Sequence, residues 1–114
     1  MAPSDHGLRL RAEVERPGLL VLAASGEVDA LTAETLQLAL ALGLPATTVL
    51  DLSELTLLSA AGLRVLVRAA ERAATEGRRL LLVADNPVAR RLLTLARLET
   101  AIPVHDSIEE ALQR

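Results

Sequence analysis

Asp51-Leu52-Ser53-Glu54-Leu55-Thr56-Leu57-Leu58-Ser59-Ala60-Ala61-Gly62-Leu63-Arg64-Val65-Leu66 is the stretch on which the reading of this chain turns. An apolar strand, Val49 to Leu52, runs into a short loop, and a Ser-Ala-Ala-Gly step then opens a helix. A strand that feeds a helix start through small residues gathers a hydroxyl and free backbone N–H groups at the sheet's edge. Such an edge suits a phosphate or the probing loop of a partner protein.

The residues before this stretch predict strands. Leu8, Leu10, Ala12 and Val14 alternate with Arg9, Arg11, Glu13 and Glu15, the period of a strand with one wet face. Arg16-Pro17-Gly18 reads as a turn. Leu19 to Ala24 is uniformly apolar, as expected of a strand covered on both faces, so the two form a hairpin with the first at the sheet edge. A helix from about Ala33 to Leu42 follows, with Thr32 as its N-cap, Leu36 and Leu40 inward, and Gly43 and Pro45 as its stop.

After a third strand at Thr47–Leu52, the helix from about Ala60 to Glu76 sets Leu63, Leu66, Val67 and Ala70 on one side. Arg64, Arg68 and Arg72 line the other, either a solvated face or a rim that meets an acidic partner. Arg79 to Ala84 predicts a buried strand, and Asn86-Pro87 the start of a helix with Val88, Leu92 and Leu95 as its stripe. A short strand over Ala101–Val104 and a last helix behind a capping box, with Ser107 and Glu110 exchanging bonds with each other's backbone, complete the chain. The expected fold is α/β: one compact domain over 8–114, an N-terminal β-hairpin followed by βαβαβα, and a mixed sheet with helices packed against it. Residues 1–7 read as a flexible tail.

Composition narrows the chemistry. With 114 residues the chain is one domain by size. It has no aromatic residue, so its core is built from Leu, Val, Ile and Ala, and stacking platforms for bases are absent. A formal charge of −3 argues against nucleic-acid binding. No cysteine is present, which excludes disulfides and thiolate chemistry. His6 and His105 show no metal-ligand spacing, and no nucleophile elbow, Walker loop or dinucleotide fingerprint occurs. Neither an enzyme nor a metal or cofactor protein is expected. No signal peptide or membrane-spanning run is visible, so a soluble cytoplasmic protein is the expectation.

The Asp51–Leu66 stretch resembles the phosphorylation-site region of the sulfate transporter and anti-sigma factor antagonist (STAS) family. In that family a strand ending Asp-Leu-Ser runs through a loop to Asp-Ser-Ser-Gly-Leu, and the first Ser of that step accepts phosphate. Ser25-Gly26-Glu27-Val28-Asp29 is similar to the family's Gly-Glu-Leu-Asp turn. Asn86-Pro87-Val88 and Ser107-Ile108-Glu109-Glu110-Ala111-Leu112 follow its tail. Aligned on Gly62, the family's Asp is Ser59, its phosphoacceptor is Ala60 and its second Ser is Ala61.

The resemblance implies a STAS-like domain acting as an anti-sigma factor antagonist in partner switching, monomeric or weakly dimeric. The implied partner is an anti-sigma factor or serine kinase of the histidine-kinase-like ATPase type. Glu27, Asp29, Ser59, Ala60, Ala61, Gly62 and Arg64 are then the partner-binding residues. Ser59 has two compatible readings, an N-cap and a displaced phosphoacceptor; Ser53 and Thr56 are weaker acceptor candidates. For Glu27 and Asp29 a turn with helix-start charge competes with the partner surface. Asp51 is expected to bond loop backbone close to the same site. Two other functions remain open: a non-phosphorylated subunit docked on the ATPase of a lipid-transporting ABC complex, and a ligand-sensing module, for whose pocket the sequence offers little.

Overall fold

The structure, a computed structural model, describes residues 7–100 and 102–113, without the side chain of Glu99. The expected tail, His6 and Ala101 lie outside these residues, apart from Gly7, whose carbonyl accepts the Glu27 N–H at 2.9 Å. Strand β1 (Leu8–Arg16) turns back at Pro17-Gly18 into β2 (Leu19–Val28), antiparallel to it, with Gly18 at φ +85°. Strands β3 (Thr47–Leu58), β4 (Arg79–Val83) and β5 (Val104–His105) join in parallel and in chain order. The mixed sheet therefore has β1 and β5 at its edges.

Helices α1 (Ala33–Ala41), α2 (Ala60–Thr75) and α3 (Pro87–Leu95) cover one face. Leu36 and Leu40 of α1, Leu66 of α2 and Leu93 of α3 pack there with Leu22, Leu50, Leu52 and Leu82 of the strands. Each such buried leucine contributes about 1.5–3 kcal/mol relative to exposure. On the other face, the short α4 (Ile108–Leu112) sets Ala111, Ile108 and Leu112 on Leu19, Val21, Val49, Leu81 and Val83. No helix among the described residues is long and apolar enough to cross a membrane.

The structure corrects several local expectations. Strands β2 and β3 run on to Val28 and Leu58, so residues 53–58 are strand and not loop. The pairing shifts twice: Ala23 and Ser25 face Asp51 and Glu54, and Gly26 and Glu27 face Leu55 and Leu57. Each shift puts one extra residue into β3, and such bulges erase the two-residue period by which a strand is recognised. In β1 the alternation is right, but the far half lies at an uncovered edge, leaving Ala12 exposed and Val14 71 % exposed. Helix α3 is turned from the expected stripe: Ala89 and Leu93 are buried, Leu92 is half-buried, and Val88 and Leu95 are exposed. In α2 the buried line runs through Gly62, Val65, Leu66 and Ala73, with Leu63, Val67 and Ala70 half-buried beside it.

Helix ends follow local chemistry. Asn86 Oδ1 accepts the Ala89 N–H at 2.8 Å ahead of Pro87. Gly77, at φ +70°, ends α2 with Arg78 N–H bonded to Ala73 O and Gly77 N–H to Ala74 O, the reciprocal pair of a Schellman motif. The last capping box is only half as expected. Ser107 Oγ accepts the Glu110 N–H at 3.0 Å, but Glu110 Oε1 reaches back to the Asp106 N–H, one residue further than Ser107.

Candidate functional site

The site is assembled by the pairing of Val28 with Leu58, which brings the exits of β2 and β3 side by side at the carboxyl edge of the sheet. Ser59 N–H donates to Val28 O at 2.8 Å and so ties the start of α2 to the end of β2. Ser59 is extended (φ −80°, ψ 171°), its Oγ accepts the Gly62 N–H at 3.2 Å, and its carbonyl accepts the Leu63 N–H. The expected N-cap is therefore present.

Gly62 is buried, and a Cβ there would stand 2.5 Å from Val28 Cγ1 and 2.8 Å from Leu58 Cδ1. The absent side chain lets the first turn of α2 sit directly on the ends of both strands. Ala60 is exposed, and Ser59 and Ala61 are half-buried. No acidic residue falls in this first turn. The helix thus presents its positive end beneath a hydroxyl and methyl groups, without a compensating charge of its own.

Beside it, Asp29 closes the turn into α1. Its Oδ1 accepts the N–H groups of Thr32 at 2.8 Å and Leu31 at 2.9 Å, and Asp29 O accepts the Ala33 N–H. The Thr32 hydroxyl accepts the Asp29 N–H and lies 2.8 Å from Glu27 O and 3.1 Å from Asp29 Oδ1, so its one proton serves one of the two at a time. Thr32 itself is helical (φ −80°, ψ −15°) and makes no side-chain cap bond within α1. The expected Thr32 cap is replaced by Asp29, whose carboxylate satisfies two N–H groups at once. Those donors, Thr32 N–H foremost, then the Thr32 hydroxyl and Leu31 N–H, hold the Asp29 carboxyl below its ordinary range.

Among the remaining candidates, Glu27 and Arg64 are exposed, as are Arg68 and Arg72. Ser53 is withdrawn from the edge: it is 9 % exposed and its Oγ accepts the Asp85 N–H. Thr56 is exposed and donates to Gly26 O at 3.1 Å. Asp51 Oδ1 accepts the Ser53 N–H at 3.0 Å, the backbone bond expected of it. Because β3 continues to Leu58, however, Asp51 lies far back along the strand and not close to Ser59. His105 Nδ1 stands 3.5 Å from Glu110 Oε1. The Glu110 carboxyl is held low, by the Asp106 N–H first and His105 after it. No group of residues suited to a metal ion occurs among the described residues.

Sequence reasoning missed two exposed leucines at this edge. Leu31, 83 % exposed, lies inside the Asp29–Thr32 turn, and Leu57, 41 % exposed, is the penultimate residue of β3, two before Ser59. The available signal was an apolar residue in a polar turn, outside the buried line of α1.

The comparisons with known proteins agree with this architecture. The sequence model of the STAS domain matches residues 12–111. The chain is similar to an anti-sigma factor antagonist from Mycobacterium paratuberculosis, at 30% identity and a TM-score of 0.82, over 98% of this chain and 95% of that one. The anti-sigma factor antagonist SpoIIAA is similar in fold in its unphosphorylated form, at 18% identity and a TM-score of 0.72 over 93% and 95% of the chains. The phosphorylated form of the Bacillus cell fate determinant SpoIIAA is similar at 17% identity and a TM-score of 0.69, over 93% and 98%. No match is found among curated proteins. With the model matched over nearly its whole length and a 30% identical relative of almost equal extent, the chain belongs to the STAS domain family.

Proposed function

We propose that this chain is a non-enzymatic interaction module of the anti-sigma factor antagonist type, acting in the cytoplasm as a monomer or weak dimer. Its partner in this reading is an anti-sigma factor that is also a serine kinase of the histidine-kinase-like ATPase type. The observation that carries the proposal is the neutral start of α2 at Ser59–Ala61, with Ala60 exposed between half-buried neighbours, tied to Val28 and flanked by the Asp29 turn. Glu27, Asp29, Ser59, Ala60, Ala61 and Arg64 form the docking surface, and Gly62 acts from beneath by seating the helix. Two relatives in this fold carry names of anti-sigma factor antagonists, and one of them, SpoIIAA, is known in both unphosphorylated and phosphorylated forms.

The switch in such a module is electrostatic. A phosphate adds about two negative charges. Buried without a partner in a docked interface, charge of that kind costs about 2–5 kcal/mol. At the position aligned with the phosphoacceptor, Ala60 offers a methyl group, so the chain stays in its binding-competent state unless Ser59 takes the phosphate instead. Intact-mass measurement after incubation with kinases encoded beside it tests this. Wild type stays unmodified or gains one phosphate at Ser59, Ala60→Ser gains one at residue 60, and Ala60→Glu loses affinity for the same kinase. Equal affinity of the Ala60→Glu protein, or co-purification with a transporter ATPase in place of such a kinase, contradicts the proposal.

A further inference from the structure

The face of the sheet opposite α1–α3 is covered by α4 only over its lower half. Above α4 it opens into a groove of about 710 Å³, within the range of roughly 300–1,000 Å³ usual for small-molecule sites. The strand register arranges its charges in two rows. Arg11, Ala23 and Asp51 stand side by side across β1, β2 and β3, and Arg9, Ser25 and Glu54 do so in the next row. Each row therefore reads cation, small residue, anion. Asp85, just past β4, adds a third carboxylate on the acidic side.

An ordinary solvated sheet face would let these charges pair. Here, small residues hold the two walls apart by two strand spacings, roughly 9–10 Å between backbones. No ion pair joins Arg9, Arg11, Asp51, Glu54 and Asp85 among the described residues. The acidic wall is also preorganised through one residue. Ser53 N–H binds Asp51 Oδ1, and Ser53 Oγ accepts the Asp85 N–H. Ser53 lines the groove while nine-tenths buried, and its own hydroxyl proton meets no acceptor among the described residues.

We infer that this groove binds a small dipolar molecule, its carboxylate on Arg9 and Arg11 and the cationic group at its far end on Asp51, Glu54 and Asp85. Two guanidiniums facing three carboxylates leave one net negative charge, which a ligand with one carboxylate and two ammonium groups complements. That is the chemistry of a diamino acid. The site is separate from the start of α2 and stands whether or not the docking proposal holds.

Amide chemical-shift titration of the full chain with L-lysine tests it, with 1,5-diaminopentane and hexanoate as analogues lacking one end. Saturable shifts at residues 23–25, 51–54 and 85 are expected with lysine, and about tenfold weaker binding of either analogue. Arg11→Ala and Asp51→Asn, the latter keeping the acceptor for Ser53 N–H, should each weaken lysine binding by about tenfold with the rest of the spectrum unchanged. No saturable shift at millimolar lysine, shifts outside the groove, or an analogue binding as well as lysine overturns the inference.

Discussion

Replacing Gly62 by alanine tests whether the start of α2 is seated by close contact. The new Cβ would stand 2.5 Å from Val28 Cγ1 and 2.8 Å from Leu58 Cδ1. Carbon atoms in contact ordinarily lie about 3.5–4.0 Å apart, so roughly 1 Å must be recovered by movement. Leu58 is half-buried and can turn aside, but Val28 is fully buried and β-branched, with little rotamer freedom. Overpacking of this kind costs about 1–3 kcal/mol. The better helix preference of alanine offsets about 0.5–1 kcal/mol of that. A net loss of up to about 2.5 kcal/mol, centred near 1 kcal/mol, follows, or a fall in Tm of about 4 °C per kcal/mol for a domain near this size. Urea unfolding followed by circular dichroism reads the loss directly. A double-mutant cycle with Val28→Ala isolates its cause, because removing the Val28 methyl groups makes room for the new Cβ. Gly62→Ala should then cost about 1 kcal/mol less in the Val28→Ala background than in wild type. A cost of Gly62→Ala that is the same with Val28 or alanine at position 28 would mean that close contact with Val28 does not seat the helix.

Three further outcomes are expected. Ser59→Ala removes the acceptor of the Gly62 N–H and should lower stability by about 1 kcal/mol in urea unfolding. Leu66→Ala opens a cavity at a fully buried position under the sheet and should cost about 2–5 kcal/mol by the same method. Asp29→Asn keeps an acceptor oxygen for the Thr32 and Leu31 N–H groups but removes the titration. Since the folded-state pKa of Asp29 is lowered, its stabilising contribution is complete above the unfolded-state value near 3.8 and is lost as pH falls through the lower folded value. The stability advantage of wild type over Asp29→Asn should therefore shrink between pH 6 and acid conditions below about 4, and a pH-independent difference would count against the hydrogen-bonded carboxylate.

The parts of this fold that are legible in the sequence are those set by local rules. Alternation over Leu8–Glu15, the apolar runs at Leu19 and Leu80, and the Asn86-Pro87 and Ser107 caps depend on neighbours one to four residues away. The extension of β3 does not, because two bulges against β2 replace its period with an irregular one and a run such as Ser53-Glu54 then reads as loop. The facing of α3 also escapes sequence reasoning. The largest apolar residues at helical spacing point to Val88, Leu92 and Leu95, whereas the side buried against the sheet carries Ala89 and Leu93. At the candidate site, the Ser59 cap follows from an i to i+3 bond and is readable. The meeting of Ser59 with the Asp29 turn arises from parallel pairing of Val28 with Leu58 across thirty positions of chain. That proximity is reached from sequence only through family resemblance. The groove beside Ser53 is invisible for the same reason, since its rows join residues from strands that only the register aligns.

In the proposed function, the neutral helix start and the turn beside it are the surface a partner reads. An NMR footprint measures this most directly, by adding unlabelled cognate kinase to the labelled chain and mapping the amides that broaden. The broadened amides should cluster at Glu27–Thr32 and Ser59–Arg64, with the amides of α4 and of the β1 edge unaffected. A footprint on α4 or along β1, leaving Ser59 to Arg64 unchanged in the bound state, would contradict it.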